Sequence, residues 1–139
     1  IATGMADLSV CDLVVEAIVE RLDVKQKVFA ELEGIVGPDA VLASNTSALS
    51  VSRIAESTPH AERVAGLHFF NPVHRMQLVE IVRGPRTSAA ALDTALGFVK
   101  ALGKLPVLVE DRPGFLVNRI LLPYMVEAVR LFSEGVPVE

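Results

Sequence analysis

Gly66-Leu67-His68-Phe69-Phe70-Asn71-Pro72, followed by Leu78-Val79-Glu80-Ile81-Val82, is the stretch from which the rest of the chain can be read. Both runs are apolar, of strand length and bounded by turn residues, so their spacing predicts strands over 63–70 and 77–83 joined through Asn71-Pro72-Val73-His74-Arg75. Folding symmetrically about His74 sets His68 opposite Glu80, and directly opposed side chains on antiparallel strands lie roughly 5 Å apart at Cβ. An ionised glutamate among Leu78, Val79, Ile81 and Val82 is rarely tolerated without a partner. Pairing with His68 supplies one, fixes the histidine tautomer and leaves the second ring nitrogen to exchange a proton. The plainer reading is a buried structural ion pair, since such pairs also occur away from active sites.

Upstream, Asp12 introduces Leu13-Val14-Val15-Glu16-Ala17-Ile18-Val19, a near-continuous apolar run of the kind expected of a buried parallel strand. Leu22, Val24, Val28, Phe29, Leu32, Ile35 and Val36 then recur at helical intervals, with Lys25, Lys27, Glu31 and Glu33 expected on other faces and Gly37-Pro38 as the stop. Val41-Leu42-Ala43 reads as a short strand, and Ser44-Asn45-Thr46-Ser47 leads into a helix over about 49–57. Strand, helix, strand, helix is the rhythm of a doubly wound α/β sheet, whose ligands bind beyond the carboxyl ends of the strands. Glu16, Glu20, Ser44, Asn45 and Ser47 fall at or just past such ends. They suit a ribose or an acyl thioester, and the hydroxyl and amide side chains equally suit helix capping.

Downstream, Thr87-Ser88 is expected to cap a helix running to about Leu102, stopped by Gly103, and Leu105–Val109 reads as another strand. Asp111-Arg112-Pro113-Gly114 breaks the chain, and one long helix is predicted from Phe115 to about Ser133, with Pro123 inside it. Ile120, Leu121, Tyr124, Met125, Val129, Leu131 and Phe132 give that helix more apolar surface than one face can hide, so it expects another domain or subunit.

The bulk properties exclude several classes. With 51% hydrophobic and 22% charged residues the 139-residue chain reads as globular and large enough for one sizeable core. A net charge of -4 without a basic block argues against a nucleic-acid surface. The single cysteine, Cys11, excludes an internal disulfide framework, and no Cys/His cluster has zinc spacing, so no metal is expected. No apolar run approaches the roughly 18 residues of a membrane span. The expected location is cytoplasmic, or the mitochondrial matrix or peroxisome in a eukaryote.

Ser44-Asn45-Thr46-Ser47, Gly66–Pro72, Leu78-Val79-Glu80 and Pro113-Gly114-Phe115-Leu116-Val117-Asn118-Arg119 together resemble, in order and over essentially the whole chain, the motifs of the L-3-hydroxyacyl-CoA dehydrogenases. Asn71–Met76 and the ending from Leu122-Pro123-Tyr124 to Gly135 are similar to the version in multifunctional β-oxidation proteins, where the dehydrogenase is fused to an enoyl-CoA hydratase. The resemblance implies an α/β fold: the later part of a Rossmann-like dinucleotide-binding domain over 1–112, then the first long helix of an all-α domain over 113–139. It implies NAD-dependent oxidation of a 3-hydroxyacyl-CoA to the 3-ketoacyl-CoA, with an acyl-CoA thioester as substrate and a homo-oligomer as the assembly. Carried over residue by residue, His68 matches the catalytic base, Glu80 its supporting carboxylate, and Ser47 and Asn118 the groups near the reacting oxygen. Glu20, Lys25, Ser47 and Asn71 match positions contacting the nicotinamide half of the cofactor.

One departure stands out. No Gly-x-Gly-x-x-Gly occurs, nor the acidic residue about 20 positions beyond it that would hold the ribose. In the family that turn precedes Ile1, so the segment as written is expected to bind NAD weakly or not at all, and NADH titration at micromolar affinity would refute this. Two rivals are a 3-hydroxyacid dehydrogenase for free acids, which would use lysine where this chain has His68 and Glu80, and a non-catalytic assembly module derived from the dehydrogenase. Sequence upstream of Ile1 separates the last from the enzyme.

Overall fold

In the computed structural model residues 3–137 are described. Five strands form one sheet in the order β1 (Leu13–Glu16), β2 (Val41–Ser44), β3 (Val64–Phe69), β4 (Leu78–Arg83) and β5 (Leu105–Glu110). β1, β2 and β3 are parallel, β4 runs antiparallel to β3, and β5 is parallel to β4. The helices are α1 (Leu22–Glu33), α2 (Val51–Ala55), α3 (Ala89–Ala101) and α4 (Val117–Ser133).

Alternation along the strands sends successive side chains to opposite faces, and each face has its own core. Leu42, Val64 and Val82 pack with Phe29 and Leu32 of α1, Val51 and Ile54 of α2, and Phe115. Ala43, Leu67, Val79 and Ile81 pack on the other face with Leu92, Ala95 and Val99 of α3. Helices on both faces of a mainly parallel sheet make the fold Rossmann-like α/β, as expected, with α4 following it. The strand order is sequential, so the order reversal of a doubly wound sheet does not occur among the described residues.

Three local expectations change. β1 stops at Glu16 and only that residue of it is buried; Ile18 and Val19 beyond it are exposed, so the apolar run is not one buried strand. Lys25, expected on an outer face of α1, has no exposed surface, because Glu16 draws its ammonium inward. The last helix begins at Val117 rather than Phe115, because Gly114 and Phe115 adopt φ of 75° and 47°, outside the helical region. Left-handed backbone costs a non-glycine residue roughly 1–3 kcal/mol, which the surrounding contacts of Phe115 must offset.

Gly66 lets α2 lie close to the sheet. A Cβ there would fall 2.7 Å from Val82 Cβ and 2.8 Å from Val51 Cγ2. The strand atom cannot retreat, so α2 must move. Gly66→Ala is expected to destabilise the protein by about 1–3 kcal/mol, read as a lower urea midpoint; an unchanged midpoint would show that α2 accommodates the methyl freely.

Candidate active site

The parallel strands β1–β3 deliver their carboxyl ends to one edge of the sheet, and the residues singled out from sequence gather towards it. His68 and Glu80 are direct partners in the β3–β4 register. His68 Nδ1 lies 2.7 Å from Glu80 Oε2, with the histidine side chain 5% exposed and the glutamate fully buried. The other carboxylate oxygen, Oε1, accepts the backbone N–H groups of Leu116 and Val117, each at 2.9 Å. Glu80 is thus an acceptor on both oxygens, so Nδ1 carries the donated proton and Nε2 is the ring nitrogen left with a lone pair. Phe70 and Phe115 tilt against the imidazole, with ring centroids 4.4 and 5.7 Å away.

The β2–α2 loop is held by Glu20. Its Oε1 accepts the Thr46 hydroxyl at 2.5 Å, the Ser47 amide at 3.0 Å and the Ala48 amide at 3.4 Å. Burial alone would push the Glu20 carboxyl up, but the bonds from Thr46 and Ser47 and the charge of Lys25 outweigh it and hold the group below its usual range. Lys25 Nζ sits 2.7 Å from Glu16 Oε1 and 3.4 Å from Glu20 Oε2. Glu16 also accepts the Ser44 hydroxyl at 2.7 Å and the Ile18 amide at 2.7 Å. A chain of alternating charges therefore runs from the end of β1 to the Ser47 loop, within which Lys25 steadies Glu20.

Capping in this loop falls to Thr46 and Ser50. Thr46 Oγ1 accepts the Leu49 amide at 2.9 Å, and Ser50 caps α2 through the Arg53 amide. The exposed Ser47 hydroxyl makes no hydrogen bond among the described residues, while the Ser47 carbonyl accepts Asn118 Nδ2 at 3.1 Å. Asn118, in the first turn of α4, thereby ties the helix to the loop. Asn71 opens the exposed β3–β4 turn and has no polar partner among the described residues. Lys104 Nζ braces that turn through the Val73 and Met76 carbonyls at 2.6 and 2.9 Å.

The sequence pattern places Glu16 and Asn45 at strand ends and Asp111 at a chain break, but does not give the partners of these three groups. Glu16 has the same signature as Glu80, a carboxylate inside an apolar run, and that signal gives it too a buried partner. Asn45 accepts the Phe69 amide at 3.1 Å and so ties the β2 loop to β3 beside His68. Asp111 caps α2 across a separation no local pattern reveals, accepting the Ser50 hydroxyl and Ser52 amide at 2.8 Å and the Val51 amide at 3.1 Å. Burial raises the Asp111 carboxyl, yet hydrogen bonds led by Ser52 overcome this and leave it lowered. A folded-state value below the unfolded one stabilises the fold fully above the unfolded value, near pH 4, and the benefit fades as pH falls through the folded value. Asp111→Asn should therefore cost about 1–2 kcal/mol near pH 7, with the gap to the parent constant from pH 5 to 8 and closing below pH 4. A gap that widens on acidification in a denaturation series would contradict this sign.

A parallel sheet edge with a carboxylate-held hydroxyl loop beside a buried histidine–carboxylate pair has the character of a dinucleotide-binding domain with acid–base chemistry at its rim. Residues 1–112 match the family model described as 3-hydroxyacyl-CoA dehydrogenase, NAD binding domain, and the chain belongs to that family. The fatty acid oxidation complex subunit alpha of Pseudomonas aeruginosa is 50% identical over 130 residues, covering 94% of this chain and 18% of that protein. The chain thus spans under a fifth of such relatives. The crystal structure of 3-hydroxybutyryl-CoA dehydrogenase from Escherichia coli superposes with a TM-score of 0.94 at 43% identity, covering 98% of this chain and 29% of that one. That of (S)-3-hydroxybutyryl-CoA dehydrogenase from Ralstonia eutropha gives 0.93 at 43% identity, covering 98% and 48%.

The donors and acceptors exposed at this edge suit a polar, hydroxyl-bearing cofactor such as NAD. Glu20, with its side chain 41% exposed, offers a charged acceptor at the strand ends, and the Ser47 hydroxyl is free to donate or accept. Lys25 has no exposed surface and reaches this edge only through Glu20. No cluster of His, Cys, Asp and Glu suited to a metal occurs among the described residues, and no helix there is long and apolar enough to cross a membrane.

Proposed function

We propose that the protein oxidises L-3-hydroxyacyl-CoA to 3-ketoacyl-CoA with NAD, the second step of fatty-acid β-oxidation, with His68 as general base and Glu80 as its supporting carboxylate. The observation carrying this reading is the buried 2.7 Å contact between His68 Nδ1 and Glu80. NAD, when bound, supplies the hydride acceptor. Loss of hydride from C3 yields a carbonyl only if the hydroxyl proton also leaves, and His68 Nε2 takes that proton. The imidazolium so formed is stabilised by Glu80, whose own acceptor capacity is shared with the Leu116 and Val117 amides. Ser47 and Asn118, linked through the Ser47 carbonyl, hydrogen-bond near the reacting oxygen. Glu20 and Asn71 contact the nicotinamide half, and Lys25 contributes by fixing Glu20.

The same reading divides the chain into an NAD-binding part over 1–112 and the start of a helical domain over 113–139, a division supported by the extent of the family match. It takes the whole protein to be a cytoplasmic homo-oligomer acting on acyl-CoA thioesters, or one of the mitochondrial matrix or peroxisome in a eukaryote. The test is NADH formation by the full-length protein with 3-hydroxybutyryl-CoA and with free 3-hydroxybutyrate. Turnover of the thioester alone is expected. Equal or greater turnover of the free acid would overturn the substrate class, and no turnover of either would favour a non-catalytic role.

A further inference from the structure

We infer that Phe115 is a positioning residue for the His68–Glu80 pair, and that the Gly114–Val117 turn is built to bring its ring and two amide donors onto that pair together. This rests on His68 being the base. Phe115 is 4% exposed and has φ of 47°. A bulky side chain in left-handed backbone is an outlier that persists only where surrounding structure over-determines it. Filling the core does not require it, since a leucine or phenylalanine in helical backbone does that elsewhere on the same face, as Leu32 and Phe29 do.

The backbone at 114–115 accomplishes two things at once. It leaves the Leu116 and Val117 N–H groups free to meet Glu80 Oε1 at 2.9 Å. It also turns the Phe115 ring back towards the imidazole, at 5.7 Å between centroids and a 58° tilt. Phe70 closes on the ring of His68 as well, at 4.4 Å and 49°. Two aromatic rings against the imidazole reduce its room to turn about χ2, which favours Nδ1 staying on Glu80 and Nε2 keeping one direction. Gly114 is part of the device: a Cβ there would lie 3.0 Å from the Arg119 amide nitrogen at a φ of 75°.

The ring, and not the apolar volume, is what this role needs, which separates it from a purely structural one. Two variants of the full-length protein test it, with His68→Gln as reference. Phe115→Leu keeps apolar bulk without a flat ring, and Phe115→Gly removes the ring while suiting the positive φ. Steady-state kinetics with NAD and 3-hydroxybutyryl-CoA would be read beside the low-field Nδ1 proton signal of histidine-labelled protein. Both variants are expected to lose about tenfold or more in kcat, with both KM values within twofold and the His68 Nδ1 signal broadened. If the glycine variant does not fold, the leucine variant decides. A leucine variant with kcat within twofold of the parent, or with lowered kcat and an unchanged Nδ1 signal, overturns the proposal. Should His68→Gln itself retain a tenth of normal turnover, the base assignment fails and this inference with it. Should His68→Gln be inactive while the Phe115 variants are unaffected, the role of Phe115 alone fails.

Discussion

Replacing His68 with glutamine in the full-length protein is expected to lower turnover by about 10²–10⁴-fold, the range typical of removing a positioned general base. Glutamine is close in reach to histidine and its amide N–H can still donate to Glu80, so the buried carboxylate keeps a partner and the fold survives. What is lost is a group able to take up a proton near neutral pH, since an amide is not basic there. NADH affinity should stay within about twofold, because Glu20 and Ser47, the groups proposed to face the cofactor, lie on the β1 and β2 loops and are held by Thr46, Lys25 and Glu16 rather than by His68. Steady-state turnover together with NADH fluorescence titration checks both halves. A variant keeping a tenth or more of normal turnover would rule out His68 as the base.

Changes at Glu80 are expected to separate catalysis from stability. Its two oxygens receive three donors, His68 Nδ1 and the amides of Leu116 and Val117. Glu80→Gln has one acceptor oxygen for the three. If that oxygen faces the two amides, the new NH₂ faces His68 and forces Nδ1 to become the acceptor, moving the proton to Nε2. The base is then blocked by its tautomer, and turnover should fall about 10²-fold or more with modest loss of stability. Glu80→Ala leaves a buried imidazole and the first amides of α4 without partners, and is expected to cost about 3–5 kcal/mol as well as activity. Denaturant unfolding and turnover measured on both variants decide the matter. A glutamine variant with half of normal turnover would remove the carboxylate from the mechanism, and an alanine variant of parental stability would remove it from the anchoring of α4.

The anchoring couples α4 to the proposed site. That helix exposes Ile120, Tyr124, Val129 and Phe132, each more than 60% accessible, and its first turn is fastened to the acid–base pair by Glu80 and to the Ser47 loop by Asn118. A displacement of α4 therefore pulls on both sides of the site.

Two apolar runs of strand length folded symmetrically about His74 set the hairpin to its register and His68 opposite Glu80, because a one-residue slip would have turned a whole strand's side chains to the other face. Helical spacing from Leu22 to Leu32 and from Ala91 to Val99 likewise set which residues meet the sheet, since burial of one stripe is a local property of the pattern. The same spacing misassigned Lys25, because a cation can be drawn into a core by a carboxylate nine residues away that periodicity does not see. It also ran α4 two residues too far toward its start, as the pull of the turn on Glu80 comes from a strand distant in sequence. What the chain determined by itself was its elements, its faces and the meeting of His68 with Glu80, all consequences of short-range pattern. Only the tertiary structure decided that Glu80 also holds α4, that Asp111 caps α2 and that Phe115 leans on the histidine, because these depend on unpaired donors and strained backbone finding partners brought near by folding.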